Sequence, residues 1–207
     1  TATFTLTPTE TPETVDGELP DYAFIEGYES WMQGHNLSCE ARVAVDFARY
    51  FGVEINENDF LDNLPRSDDP SLGFVGDIDG PVGNIPPNSY GVYADPVANL
   101  LRDYGLDVAA VHGMRMRELK AEIAAGRPVM AWVVGAVEEG YPQLYYPPSG
   151  GEVTVVHWEH VVAVVGYDQD FVYVIDPTFN FYYGRWINTF KSSWAALGNM
   201  AVIYQAE

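Results

Sequence analysis

The segment that decides the fold is residues 33–41, which reads QGHNLSCEA and holds Cys39, the single cysteine of the 207-residue chain. Residues 39–51 carry apolar side chains at helical spacing, with Ser38 or Asn36 as the candidate cap. A thiol in the first turn of a helix lies at the positive end of the helix dipole, which lowers its pKa and favours the thiolate. The segment therefore predicts a reactive cysteine at a helix start.

Two later segments carry a histidine and an aspartate that can serve this thiol. His160 opens the apolar run HVVAVVGY, and Asp176 ends the run VYVID. The turn at 168–170 between them predicts an antiparallel hairpin, in which the two side chains come within a residue or two of being level. We predict that Cys39 is the nucleophile, that His160 is the general base and acid, and that Asp176 fixes the imidazole tautomer.

Acyl transfer through a thiol also requires donors for the developing oxyanion. The backbone N–H of Cys39 supplies one donor, and the side chain of Gln33, six residues upstream, is the candidate for the second. We predict substrate contacts from Trp158, which lies beside the predicted base, and from Tyr90 and Gly91, which end a long Gly- and Pro-rich loop. The alternative for that loop is an ordered surface segment without a ligand role.

The predicted elements change character halfway along the chain. Helices come first and strands follow, which is the order of an α+β fold. The predicted helices cover 39–51, 57–64, 95–104 and 116–125. The predicted strands cover 128–134, 153–167, 171–175, 184–187 and 200–204, with a short helix over 190–197.

Residues 1–20 are rich in Thr, Pro and Glu, so we expect a tail or linker there and a single domain over 21–207. Such a run is typical of the tether that follows an export signal or a lipid anchor, so we expect a secreted or cell-surface protein, with any anchor upstream. The alternation at 3–7 is also compatible with a short edge strand. No stretch reaches the roughly 18 apolar residues needed to span a membrane.

The charge and the cysteine count exclude several classes of function. The chain carries 30 acidic and 10 basic residues, a net charge of −20, and such a field repels nucleic acid. One cysteine excludes an internal disulfide and a Cys-based zinc site. His157 and His160 flank Glu159 but lack the spacing of a helical metal motif, and we expect His157 to point away from His160. A short Asp77-Ile78-Asp79 run lacks the ligands of a calcium loop. We predict no metal and no cofactor.

The ordered set Gln33, Cys39, His160 and Asp176 resembles the papain-like cysteine peptidases. The runs HVVAVVGYD, VYVIDP and NLSCEA are similar to the bacteriocin-processing, double-glycine leader peptidases and their stand-alone bacterial relatives. The resemblance covers about residues 28–205. It implies a papain-like fold, with an N-terminal helical half that bears the cysteine and a C-terminal antiparallel sheet half that bears the histidine and aspartate. It also implies hydrolysis of peptide bonds through a thioester at Cys39.

Glu40 is where the sequence departs from that pattern, because many family members place Gly or Trp directly after the cysteine. A carboxylate at this position disfavours the thiolate. The sequence contains no transporter segments or ATP-binding loop, so cleavage after a double glycine is not implied. The alternative to a peptidase is a catalytically weak papain-like module that binds peptides or cell-wall material. In either case we expect a monomer whose partner is a peptide or protein.

Overall fold

The structure is a computed structural model that describes residues 18–205. Most of the predicted tail, and the strand alternative at 3–7, lie outside the described residues. The helices in this range are α1 (Cys39–Tyr50), α2 (Glu57–Asn63), α3 (Ala94–Asp103), α4 (Met116–Ala124) and α5 (Ile187–Ala195). The strands are β1 (Ala23–Phe24), β2 (Val108–Val111), β3 (Val129–Val134), β4 (Gln143–Tyr145), β5 (Val153–Val155), β6 (Glu159–Tyr167), β7 (Phe171–Asp176), β8 (Phe181–Trp186) and β9 (Ala201–Tyr204).

Helix α1 is the central helix of the fold. The sequence predicts one apolar face, but the structure buries all of residues 39–48, because α1 packs against β3 and β6 as well as against α2 and α3. A helix in such a position needs a partner for every charge that it carries inward. Arg42 pairs with Asp46 of the same helix and with Glu57 of α2, at 3.2 Å for the latter pair. The charged side chains of α1 thus tie the helix to its neighbour.

The main sheet is antiparallel and has the strand order β2-β9-β3-β6-β7-β8, with β1 paired to the end of β6. Strand β3 reads VMAWVV and is buried at every position, as expected of a strand covered on both faces. In the hairpin of β6 and β7, Ala163 lies opposite Ile175 and Val164 opposite Val174. Helices α1, α3, α4 and α5 all contact strands of this sheet.

The predicted α+β fold is confirmed, with most of the helices before residue 125 and most of the strands after it. The prediction of one strand over 153–167 is wrong. The chain breaks between β5 and β6, where Trp158 adopts a left-handed φ of 60° that no strand accommodates. The short strands β1, β2 and β4 were not predicted. In the described part of the chain, none of the helices is long and apolar enough to cross a bilayer.

Residues 65–93 form an ordered segment between α2 and α3, and Ile78 in its middle accepts the backbone N–H of Leu37 in the turn before α1. Val75 pairs with Gly91 in an isolated antiparallel bridge, and Arg66 pairs with Phe74 in a parallel one. Phe74, Val75 and Tyr90 are buried. The segment is therefore folded back on itself and anchored to the core, which places its middle beside the N-terminus of α1.

Candidate active site

A cleft of about 250 Å³ opens at the N-terminus of α1. The start of the helix forms one side of it, and the beginning of β6 and the end of β7 form the other. The middle of the 65–93 segment contributes Val82, Gly83 and Asn84 to its wall. Six of the seven residues that the sequence predicts for the site line this cleft, namely Gln33, Cys39, Tyr90, Trp158, His160 and Asp176.

His160 and Asp176 are hydrogen-bonded across the β6–β7 hairpin. The strand register continues from Ala163 opposite Ile175, so Asp176 falls opposite Val162, on the same face as His160 and one diagonal step away. Nε2 of His160 lies 2.9 Å from Oδ1 of Asp176, and both side chains are largely buried. This bond leaves Nδ1 as the ring nitrogen that can exchange a proton with a thiol.

Asp176 is held in place by further donors. The backbone N–H of Thr178 donates to its Oδ1 at 2.9 Å, and the hydroxyl of Tyr183 donates to its Oδ2 at 3.0 Å. Burial raises the pKa of Asp176, but the hydrogen bond and charge of His160, together with these two donors, outweigh it and hold the pKa below its ordinary value. The aspartate is therefore ionised at neutral pH and suited to orient an imidazole.

Gln33 lies in the cleft, where its side chain is already engaged. Its Nε2 donates to the carbonyl oxygens of His35 at 2.8 Å and of Asn36 at 2.9 Å, and a side-chain amide has only two such N–H groups. The backbone N–H of Gln33 donates to the carbonyl of Pro177 at 2.9 Å, which ties the segment before α1 to the end of β7. A role for Gln33 in an oxyanion hole stays a prediction, and it requires one of the two side-chain bonds to open.

The turn before α1 is fixed by side chains from two neighbouring segments. Glu57 accepts hydrogen bonds from the Gly34 N–H at 3.0 Å and the Ser38 hydroxyl at 2.7 Å, so Ser38 serves this contact and not as a side-chain cap. His35 bonds to Asp79 at 2.9 Å and to Asn58 at 3.0 Å. These bonds, to Asn58 first and then to Asp79, raise the pKa of His35. His35 therefore helps to position the nucleophile turn.

Cys39 is 5% exposed as a residue, and its thiol donates a hydrogen bond to Oε2 of Glu40 at 3.2 Å. Burial raises the pKa of the thiol well above its ordinary value, and the negative charges of Glu40 and Glu159 raise it further. A hydrogen bond to the backbone of Val161 acts in the opposite direction and places the sulfur beside the start of β6. The pKa of the thiol is thus shifted in the direction opposite to the one predicted from the helix dipole. Burial and two carboxyl groups outweigh the partial positive charge at the helix N-terminus.

Glu40 turns into the protein interior. It is 1% exposed, and its Oε1 accepts the backbone N–H of Val92 at 2.8 Å. Gly91 makes this possible, since a Cβ there would lie 2.2 Å from Glu40 Oε1 and 2.9 Å from Glu159 Oε2. The sequence predicts Gly91 as a substrate contact, but the structure places it against these carboxyls and not among the residues that line the cleft.

The two aromatic residues predicted to contact substrate have different positions. Trp158 is 56% exposed, and its ring packs so closely on Gly83 that a Cβ there would lie 2.7 Å from the indole. Tyr90 is buried, and its hydroxyl lies 3.0 Å from that of Tyr93. Trp158 therefore presents an accessible ring at the cleft, whereas Tyr90 lines the cleft as a buried side chain.

His157 and Glu159 differ most from the sequence-based expectations. His157 lies in the break between β5 and β6, not in a strand, and its Nδ1 bonds to the Gly83 carbonyl at 2.8 Å. The sequence suggests Glu159 only as a candidate metal ligand, and its contact with Glu40 was not predicted. The available signal was an acidic residue directly beside the predicted base at a strand start.

Comparison with known proteins shows which family and which folds this chain resembles. The model of the Peptidase_C39 like family matches residues 27–202. The chain is 28% identical over 182 residues to the uncharacterized protein YvpB of Bacillus subtilis, covering 81% of this chain and 68% of that protein. A crystal structure of a C39-like peptidase from Bacillus anthracis matches with a TM-score of 0.78 at 22% identity, covering 91% of this chain and 99% of that one.

More distant matches share the fold alone. The peptidase domain of Streptococcus ComA, a bifunctional ABC transporter involved in quorum sensing, has a TM-score of 0.54 at 12% identity, over 86% of this chain and 99% of that one. A double-glycine-motif protease from a PCAT transporter, solved with its leader peptide, has a TM-score of 0.51 at 14% identity, over 89% and 99% of the two chains.

Proposed function

We propose, because this chain belongs to the Peptidase_C39 like family, that it is a cysteine peptidase that hydrolyses peptide bonds through a thioester at Cys39. The observation that carries the proposal is the shared cleft. It brings the thiol at the start of α1 together with a histidine whose Nε2 is held 2.9 Å from a buried aspartate. A nucleophile, a base and an orienting group in one cleft are the parts that acyl transfer needs.

The proposed reaction uses these groups in two steps. His160 takes the thiol proton at Nδ1, and the sulfur attacks the substrate carbonyl to form a C–S bond. The backbone N–H of Cys39 stabilises the oxyanion, with Gln33 as the second donor once one of its bonds opens. The imidazolium then protonates the leaving amine as the C–N bond breaks. In the second step, His160 deprotonates a water whose oxygen attacks the thioester carbonyl. The C–S bond then breaks, the carboxylic acid product leaves, and the thiolate regains its proton from the imidazolium.

The substrate is proposed to be a peptide or protein segment in extended conformation. The cleft is walled in part by Trp158 and the 82–84 loop, which pack against each other, and it can hold a few residues of a chain. The double-glycine-motif protease was solved with a peptide, its leader, which is the relevant precedent in this fold. A secreted or cell-surface location, which the Thr-, Pro- and Glu-rich composition of residues 1–20 favours, and a monomeric state are part of this proposal.

A second candidate function is favoured by one specific observation. The carboxylate of Glu40 accepts the thiol hydrogen bond and stabilises the protonated, unreactive form of Cys39. A catalytically weak module that binds peptides or cell-wall material is consistent with such a thiol. The two functions make different predictions. A binding module should still bind peptides after the Cys39 sulfur is removed, and it should cleave none of them.

The test is substrate profiling with a broad peptide library, read by mass spectrometry. Wild type is compared with Cys39→Ala, His160→Ala and the surface control His112→Ala, whose imidazole pairs with Asp95 outside the cleft. We expect wild type and His112→Ala to cleave, and the two active-site variants to be inactive. Equal cleavage by Cys39→Ala refutes the proposal. Binding by wild type and Cys39→Ala, with no cleavage by either, supports the binding module instead.

A further inference from the structure

Behind the nucleophile lies a pair of carboxyl groups that the proposed reaction does not use. The sulfur of Cys39 and one carboxyl oxygen each of Glu40 and Glu159 lie within 4.8 Å of one another. Glu40 reaches this position from the first turn of α1, and Glu159 from the first residue of β6. Gly91 closes the other side of the pair with its backbone, leaving no room for a side chain.

The groups that face this pair supply little positive charge. From α1 it faces the thiol of Cys39, and from β6 the imidazole of His160. Burial raises the pKa of Glu40, and its hydrogen bonds and the charge of His160 offset only part of that rise. From the segment before α3 it faces the hydroxyls of Tyr90 and Tyr93, which interact electrostatically with Glu159 and whose pKa values are raised by burial. These tyrosines are neutral throughout the physiological range, so they do not compensate a second negative charge.

Two carboxyl groups this close and this enclosed cannot both ionise at neutral pH, so they share one proton. The surroundings decide where it lies. Glu40 accepts from the thiol and from the Val92 N–H, and it stands in the first turn of a helix, where a negative charge is favoured. Glu159 is half-buried as a residue, but its Oε1 is enclosed and has no hydrogen-bond partner among the described residues. The charge therefore rests on Glu40 and the proton on Glu159.

We propose that the Glu40–Glu159 pair sets the reactivity of the nucleophile: its single negative charge holds the Cys39 thiol protonated, and uptake of a second proton by the pair releases that hold. The inference rests on the proposed function for its biological meaning, but not for its measurement. Glu40 is a catalytic residue in this view, because its oxygen touches the reacting sulfur at 3.2 Å. Glu159 is a positioning residue that acts through Glu40.

The consequence is a nucleophile that is restrained near neutral pH and freed in mild acid. When both carboxyls are neutral, the thiol proton can pass to Nδ1 of His160 without a carboxylate opposing the new thiolate. A unit charge about 3–4 Å from the sulfur changes the thiol equilibrium by much more than tenfold in a partly buried site. The device adds no covalent chemistry, since only protons move between the carboxyls, the sulfur and solvent.

The first test measures alkylation of Cys39 by iodoacetamide between pH 5 and 9, in the presence of a chelator. It compares wild type with Glu40→Gln, Glu159→Gln and Glu54→Gln. The last removes an equal charge from an exposed residue that pairs with Arg49. We expect Glu40→Gln to alkylate at least about tenfold faster than wild type at pH 7. Glu159→Gln should change the rate far less, and Glu54→Gln should match wild type.

The second test is spectroscopic and does not depend on a reaction rate. The infrared C=O band of a protonated carboxyl should be present in wild type at pH 7, retained in Glu40→Gln and lost in Glu159→Gln. Absence of this band in wild type overturns the proposal, as does a Glu40→Gln thiol that is no faster than wild type. Faster alkylation of Glu40→Gln with no peptidase activity in any variant supports the role of the carboxyl pair and rejects the proposed function. The two proposals can therefore fail separately.

Discussion

Replacement of Gly91 by alanine tests whether the site is assembled around the Glu40 carboxyl. Gly91 has a φ of 138°, which L side chains rarely adopt. The new methyl group would lie 2.2 Å from Oε1 of Glu40 and 2.9 Å from Oε2 of Glu159. Gly91 also pairs with Val75 and directly precedes Val92, whose N–H binds Glu40. The substitution therefore has two effects: it strains the backbone at position 91, and it displaces the Glu40 carboxylate.

The expected loss of stability has two parts. An unfavourable backbone conformation of this kind costs about 1–3 kcal/mol. Displacing Glu40 from the Val92 N–H breaks a hydrogen bond to a charged acceptor, at about 1.5–3 kcal/mol. We therefore expect Gly91→Ala to lower the free energy of unfolding by about 2.5–6 kcal/mol, a large part of the 5–15 kcal/mol that is typical of a folded domain.

The assay is urea unfolding followed by tryptophan fluorescence, with Gly126→Ala as the matched control. Gly126 also has a positive φ, 75°, but nothing lies within 4 Å of its missing Cβ. The control reports backbone strain alone, about 1–2 kcal/mol. A Glu40→Ala background removes the carboxyl that the methyl group meets, so there Gly91→Ala should cost at least about 1.5 kcal/mol less than in wild type.

Two results refute this reasoning. The first is a Gly91→Ala protein that loses no more stability than Gly126→Ala, which means that the Glu40 contact is not the constraint. The second is a cost that is the same with and without the Glu40 carboxyl. Either result also leaves the positive φ, and not the Glu40 contact, as the structural reason for a glycine at position 91.

Three other predictions address the orienting group, the pH dependence of stability and the cleft wall. Asp176→Asn should lower kcat/KM by about 100-fold or more, because it removes the charge that orients the imidazole. Tyr183→Phe should lower kcat/KM by less than about threefold, and equal losses in the two variants contradict the orienting role of Asp176. Asp46 has its pKa raised by burial from 3.8 to about 6, so the folded state binds its proton more tightly, and stability should fall as pH rises from about 4 to about 6. A displacement of that size corresponds to about 3 kcal/mol, and Asp46→Asn should flatten the dependence in thermal unfolding scans. Trp158→Ala should raise KM about tenfold with a smaller effect on kcat, and an unchanged KM excludes Trp158 from substrate binding.

The elements that sequence predicts well are those whose signal is local. Helix α1 begins at Cys39 and ends near Gly52 because the apolar spacing and the flanking residues lie within one stretch of chain. The β6–β7 hairpin follows from two apolar runs and a short turn, and its register brings His160 to Asp176 with no information from elsewhere in the fold. The pairing of these two residues is therefore predictable from a single short stretch of sequence.

The environment of the thiol is not predictable in this way. The sequence places Cys39 at a helix N-terminus, which argues for a lowered pKa, and it places Glu40 beside it, which argues against one. The choice depends on where the Glu40 side chain points, and that is decided by Gly91 and Val92, which lie far along the chain. Trp158 is a similar case, since its ring packs on Gly83, which lies far from it in the chain.

The sequence by itself determined the α+β architecture, the position of the thiol at a helix start and the histidine–aspartate hairpin, because each rests on periodicity and turn chemistry within a short segment. Only the tertiary structure decided how the thiol is charged and what encloses it. Burial and the distance between Glu40 and Glu159, 119 positions apart in the chain, set that electrostatic balance, and both are properties of packing that no local pattern encodes.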